Sequence, residues 1–157
     1  MRFYRVYDDS PVNEAIEAKA TRRTGKRRRR VDIQFNSSEV SPYTRFYFEA
    51  KRLGKGNPVS RYLGADGLGC FLRGSYAEAE RRGGMLGYVQ SDDEYAWAAK
   101  IKKALATSPQ SFGLQAQSDH LRLYRISAQL HHTYISWHRR TTDGKRLQIY
   151  HSFLIFH

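Results

Sequence analysis

The sequence predicts an α/β fold: one domain in which a mixed β-sheet is flanked by helices and closes with a C-terminal β-hairpin. Three observations carry that expectation. Runs rich in Val, Ile, Tyr and Phe alternate with polar residues at Arg30–Asn36, Thr44–Lys51 and Lys145–Phe156, as half-buried strands do. Two stretches between them space apolar residues at helical intervals, giving the order strands, helix, strand, helix, strands. No repeat, linker or break in composition divides the 157 residues.

Arg2–Tyr7 (RFYRVY) alternates and suits a first strand. Ser10 before Pro11 reads as an N-cap with proline at the first helical position, and Val12, Ala15, Ile16 and Ala20 share one face of a weak helix. Arg30–Asn36 and Thr44–Lys51 follow as neighbouring antiparallel strands, with the turn formers Asn36, Ser37, Ser38, Ser41 and Pro42 between them. After a loop containing Gly54, Gly56, Asn57 and Pro58, Asp66–Arg82 carries Leu68, Phe71, Leu72, Tyr76 and Ala79 at helical spacing, and Gly83–Gly84 is expected to stop it. Met85–Gln90 reads as a short buried strand. Ser91–Glu94 (SDDE) reads as a capping box opening a helix with Trp97, Ile101 and Leu105 on one face. Leu121–Ile126 suits a strand, and Leu130–Arg140 pairs with Lys145–Phe156 across the turn Thr141–Gly144.

Charge bounds the partners. Lys and Arg number 27 against 15 Asp and Glu, a formal net charge of +12. Such an excess favours a polyanion, because clustered cations displace condensed counterions from nucleic acid without reading its sequence. A hydrophobic content of 40% with 11 Tyr and 8 Phe supplies one sizeable core, so disorder is excluded. Cys70 is the only cysteine, which excludes a disulfide scaffold and fits a buried filler in a reducing cytoplasm. Met1–Ser10 has no apolar segment of a secretory signal, and no apolar run approaches a bilayer span. The expectation is a soluble cytoplasmic protein with no membrane partner.

The residues that carry chemistry are Asp32 in RVDIQF and Glu49 with Lys51 in FYFEAKRL. Side chains two apart on a strand point the same way, so Glu49 and Lys51 share a face with Tyr47, while Phe46, Phe48 and Ala50 take the other, expected to face the core. A neighbouring strand brings Asp32 beside Glu49. Two adjacent carboxylates repel unless a hard cation neutralises them, and Mg²⁺ takes one or two carboxylates together with phosphate oxygens and water. A lysine beside them suits phosphodiester hydrolysis, by orienting water or opposing charge in the transition state. The competing reading makes Asp32 and Glu49 surface ion-pair partners of nearby arginines.

An Asp, 16 residues, then Glu-Ala-Lys at the end of a hydrophobic strand resembles the signature of the PD-(D/E)xK, or restriction-endonuclease-like, nuclease superfamily. The block FEAKRLGKGNPVSRYLGADGLGCFLRGSYAEAERRGGMLGYVQ is similar to a bacterial nuclease-like subgroup with an EAKRL, YLG and MLGYV pattern. The resemblance implies a restriction-endonuclease-like core over residues 2–106, followed by the hairpin at 130–156, within one domain spanning 1–157. It also implies that Asp32 and Glu49 ligate Mg²⁺ or Mn²⁺ with help from the Ala50 carbonyl, and that Lys51 serves the attacking water. Val31 stands where the superfamily often has proline. An acid on the first helix is also common there; the candidates are Glu14 and Glu17, of which Glu17 lies nearer the apolar face.

Arg22, Arg23, Lys26, Arg27, Arg28, Arg29 and Arg30 lead straight into the strand of Asp32 and read as a phosphate clamp over the site, with a solvated basic loop as the alternative. Arg52, with Arg45, Lys55, Arg61 and Arg73, extends the same field. His131, His132, His138 and His151 fall on the hairpin. They lack the partners and spacing of a zinc site and read as packed strand residues, with His138, Arg139 and Arg140 as candidate phosphate contacts. Trp97 and Trp137 read as core rather than base-stacking residues. The expected function is metal-dependent cleavage of nucleic acid, DNA being favoured, with a homodimer attractive because a double-strand cut needs two sites. The alternative is a non-catalytic basic nucleic-acid-binding protein, or a subunit of a larger nucleoprotein complex, on the same fold.

Overall fold

The computed structural model describes residues 5–8, 32–37, 44–76, 78–126, 128 and 130–155. Among these residues the α/β expectation holds. Seven strands form one mixed sheet: β1 (Arg5–Asp8), β2 (Ile33–Ser37), β3 (Thr44–Leu53), β4 (Arg82–Val89), β5 (Arg122–Leu123), β6 (Thr133–Arg139) and β7 (Arg146–Ile155). Their order across the sheet is β1-β2-β3-β4-β7-β6-β5. β1, β2 and β3 pair antiparallel, β4 lies parallel to both β3 and β7, and β7, β6 and β5 pair antiparallel. The parallel joints need crossovers. The helices α1 (Val59–Leu63) and α2 (Leu68–Leu72) lie between β3 and β4, and α3 (Glu94–Thr107) follows β4.

One face of the sheet carries the main core. Tyr47, Leu53, Met85, Val89, Leu147, Ile149 and Phe153 alternate inward from three strands, β3, β4 and β7, and meet Tyr62, Leu68, Phe71, Ile101 and Leu105 from the helices. This reverses the expected facing of β3. Glu49 belongs to the deeply buried side with Tyr47 and Leu53, whereas Phe46, Phe48 and Ala50 are half-buried on the other. The strand's aromatic face is not its most buried face, because the helices stack over the side that carries Tyr47 and Leu53.

Glycines account for the largest change in element boundaries. The helix expected over Asp66–Arg82 is only the five residues of α2, and α1 precedes it as a second short helix. Gly74 ends the turn with a φ of 65°, its amide donating to the Phe71 carbonyl at 3.1 Å, a left-handed conformation that favours glycine. Tyr76 is therefore buried from a turn and Ala79 is exposed. Gly83 and Gly84 do not stop a helix; they lie inside β4. A Cβ at Gly84 would come within 2.2 Å of the Phe48 ring, and one at Gly83 within 2.6 Å of the Phe71 ring. Glycine here lets rings from β3 and α2 close onto the central strand.

α3 is capped by Asp93 rather than by Ser91: the Asp93 carboxylate accepts the Ala96 amide at 2.7 Å. The Ser91 carbonyl instead accepts the indole N–H of Trp97 at 2.7 Å. β6 and β7 form the expected C-terminal hairpin, in register from Thr133↔Ser152 to Arg139↔Arg146. The strand expected at Leu121–Ile126 contracts to the two residues of β5. The helix expected from Ser10 lies outside the described residues. Among the described residues no helix is long and apolar enough to cross a membrane.

Candidate active site

β2 and β3 bring the two acids together as the strand pattern requires. Their register pairs Ile33 with Phe48, so Asp32, one position earlier, falls level with Glu49. The Asp32 carboxylate accepts the backbone amide of Ala50 at 2.7 Å, which ties the bend before β2 to the strand carrying Glu49 and Lys51. Lys51, two residues on and on the same face, donates its ammonium to Oε1 of Glu49.

Glu49 is 4% exposed, and among the described residues its buried Oε2 has no hydrogen-bond partner. A buried carboxylate oxygen without a donor is unfavourable by about 1–3 kcal/mol or more. Burial pushes the Glu49 carboxyl up to about 7; the Asp32 charge adds to the rise, and Lys51 and the Tyr76 hydroxyl oppose it. Among the described residues no three His, Cys, Asp or Glu side chains gather into one group. The donors on hand are thus two carboxylates and strand backbone, a set that suits a hard divalent cation completing its shell with water and phosphate oxygens. Ala50 enters this site through its amide, which holds Asp32.

Tyr76 and Cys70 complete the surroundings of Glu49, and neither was marked by the sequence as part of a site. Burial first, and then the charge on Glu49, hold the Tyr76 phenol far above its ordinary range, so it stays a protonated hydroxyl with a hydrogen to donate. Burial, again with Glu49, raises the Cys70 thiol, which donates to the Ala65 carbonyl at 3.2 Å. Cys70 is packed and inert, as its sequence context suggests. Tyr76 gave no signal because its apolar spacing matched a helix that does not form.

The basic field divides. Glu14, Glu17, Arg22, Arg23, Lys26, Arg27, Arg28, Arg29 and Arg30 lie outside the described residues. Arg52 is exposed on the half-buried face of β3, alternating with Lys51, and so does not share the face of the carboxylates. Arg73 is exposed and donates to the Ala65 carbonyl at 2.5 Å.

The hairpin histidines form a buried hydrogen-bond chain. Tyr62 meets Nδ1 of His151 at 3.0 Å, Nε2 of His151 meets Ser136 at 2.8 Å, and Ser136 meets Nε2 of His138 at 2.6 Å. His138 Nδ1 meets the Phe112 carbonyl at 2.7 Å. A carbonyl only accepts, so His138 carries its proton on Nδ1 and every bond in the chain has one direction: Tyr62 to His151 to Ser136 to His138 to Phe112. Desolvation lowers His138 to about 4 and His151 to about 3, keeping both neutral. Full burial removes His138 from any contact with phosphate. Arg140 is likewise buried, its guanidinium donating to the carbonyls of Glu78 and Glu80 at 2.5 and 2.6 Å. Exposed Arg139 donates to Gln115 and to the Gly144 carbonyl. His132 packs edge-on against Tyr95. Trp97 is core as expected; Trp137 is only half-buried, with the Arg146 guanidinium 4.4 Å over its ring.

No family model, curated protein or solved structure matches the chain.

Proposed function

We propose that this chain is a metal-dependent nuclease of the PD-(D/E)xK kind, hydrolysing phosphodiester bonds of nucleic acid, DNA being favoured, in a reducing cytoplasm. The observation that carries the reading is the unpartnered, buried Oε2 of Glu49 level with Asp32, with Lys51 on the other oxygen. Asp32 and Glu49, with the Ala50 carbonyl, would hold Mg²⁺ or Mn²⁺, which supplies Lewis-acid polarisation of the phosphoryl group and a bound water of lowered pKa. The chain's own part is preorganisation. The Ala50 amide fixes one acid, Tyr76 and Lys51 orient the other, and the helix-covered face keeps the pocket dry enough for those charges to act strongly. Lys51 can swing from Glu49 to a water at the scissile phosphate, and its ammonium opposes the negative charge that builds on the transition state.

The test is cleavage of supercoiled plasmid, single-stranded DNA and RNA with Mg²⁺ or Mn²⁺. Cutting is expected to vanish with EDTA and in Lys51→Ala; cutting that survives both overturns the reading. A second reading, a subunit of a larger nucleoprotein complex, is favoured by Leu123, Tyr124, Ile126 and Leu130, exposed along the β5 edge. Binding with steep salt dependence, but no nicking under Mn²⁺, would select the non-catalytic form of that reading.

A further inference from the structure

On the face of the sheet away from the helices, Arg82, Gln148 and Trp137 lie abreast on three adjacent strands, in register Arg82↔Gln148 and Trp137↔Gln148. With Arg81, Lys145 and Arg146 they line a cleft of about 380 Å³, within the usual range for a small-ligand pocket. Four cations meet there. Two have acids of their own: Lys145 pairs with Asp143 at 3.0 Å and Arg146 with Asp119 at 3.1 Å. Arg81 and Arg82 are exposed, and among the described residues no carboxylate engages either of them. The cleft therefore holds a surplus of positive charge in guanidinium form, which matches phosphate oxygens in pairs.

The other wall is made of rings and an amide. Arg146 stacks on Trp137 at 4.4 Å, and Gln148 accepts the Tyr150 hydroxyl at 3.4 Å. From Tyr150 a row of rings crosses the same face, with Phe46 at 5.8 Å on one side and Tyr124 at 5.9 Å on the other. Uncompensated arginines beside a flat indole, an amide and a row of aromatic rings match a chain of nucleotides whose bases are free to stack. A duplex keeps its bases paired and offers that wall nothing.

We infer that this cleft is a binding site for single-stranded nucleic acid, in which Arg81 and Arg82 hold successive phosphates and Trp137 borders a base, with Gln148 placed to meet its edge. The inference rests on the nucleic-acid reading above and names the strand form, but its test does not depend on cutting. Fluorescein-labelled oligothymidylate and a matching duplex are titrated by anisotropy in EDTA across a range of salt, with tryptophan emission followed in parallel using unlabelled oligothymidylate. The single strand is expected to bind more tightly than the duplex and to quench emission, and Trp137→Leu removes the quench. The double variant Arg81→Ala/Arg82→Ala, both exposed positions, is expected to bind roughly tenfold more weakly, with a salt slope lower by about 1.4, from about 0.7 per phosphate contact on a single strand. The charge-matched control Lys102→Ala/Lys103→Ala, on exposed positions of α3, is expected to change affinity little. Equal loss in both double variants, preference for the duplex, or a quench that survives Trp137→Leu overturns the inference. Strong binding at the cleft without Mg²⁺-dependent cutting overturns only the nuclease reading, and cutting with wild-type binding in the cleft variants overturns only this one.

Discussion

The Ala50 amide donates to the Asp32 carboxylate at 2.7 Å, so a side chain before β2 is anchored to the backbone of the strand that carries Glu49 and Lys51. That bond needs an oxygen and not a charge, which separates two effects of substitution. Asp32→Asn keeps an acceptor for Ala50 and is expected to fold within about 0.5 kcal/mol of the parent while losing cleavage. Asp32→Ala loses the acceptor as well and is expected to be less stable by a further ~1 kcal/mol. Denaturant unfolding beside a cleavage assay checks both; equal stability of the two variants would show that the anchor contributes nothing.

Glu49→Gln trades an orphaned buried carboxylate oxygen for a neutral amide that still accepts from Lys51. An amide is less costly to bury, so stability in metal-free buffer is expected to rise by about 1–2 kcal/mol while cleavage is abolished. At this chain length that corresponds to about 2–4 °C in Tm per kcal/mol. Thermal melts with and without Mg²⁺ read it: the parent gains from added metal and the variant does not. A variant that melts lower than the parent and responds equally to Mg²⁺ contradicts this account of Oε2.

The Tyr62–His151–Ser136–His138 chain makes stability depend on acid. Both histidines are held below their ordinary value, so the folded state keeps them neutral while the unfolded chain takes up protons from about pH 6.5 downward. The histidines' contribution is therefore full above about 6.5 and falls as pH drops toward the folded values of about 4 and 3, partly offset between about 4.5 and 7 by Glu49, whose raised value gives the opposite slope. The slope approaches about 1.4 kcal/mol per pH unit for each histidine. Ser136→Ala breaks the chain in the middle, strands two ring nitrogens, and is expected to be destabilising by about 1–3 kcal/mol at neutral pH. Unfolding free energies measured from pH 8 to 4 test the sign; a flat profile rules it out.

Gly84→Ala drives a methyl into the Phe48 ring, which stands beside Glu49 on β3. Overpacking at this joint is expected to be destabilising by about 1–3 kcal/mol and to displace Phe48 or β4. Adding Phe48→Leu to Gly84→Ala is expected to recover part of the loss in a double-mutant cycle. Purely additive losses would mean that the contact does not set the position of the strand.

The pairing of Asp32 with Glu49 was legible because strand periodicity is local: two short aromatic runs with turn residues between them fix which side chains meet. Their depth was not. Whether Glu49 faces solvent or core depends on helices far along the chain, and the aromatic side of β3 proved to be the less covered one. Residues 66–82 read as a helix because Leu68, Phe71, Leu72 and Tyr76 have the spacing, yet Gly74 breaks it and delivers Tyr76 to Glu49 from a turn. Gly83–Gly84 misleads for the same reason: a glycine pair signals a stop in isolation, and only the rings of Phe71 and Phe48 show that it is a close-packing joint. Burial of His138, His151 and Arg140 likewise follows from cross-strand partners that no sequence window contains.

The central strand also sets an order of assembly. β1–β3 and β5–β7 are antiparallel ladders, but β4 runs parallel to both of its neighbours and, among the described residues, joins them within the sheet. Parallel pairing closes long loops before it is rewarded, so insertion of β4 is the slow event expected in folding. Until it happens Asp32 and Glu49 can already be neighbours, yet Glu49 lacks the floor of Met85 and the roof of Tyr76. Its unusual burial is expected to form late, and because a central strand opens only near the free energy of global unfolding, to be lost with the fold as a whole rather than by local fraying.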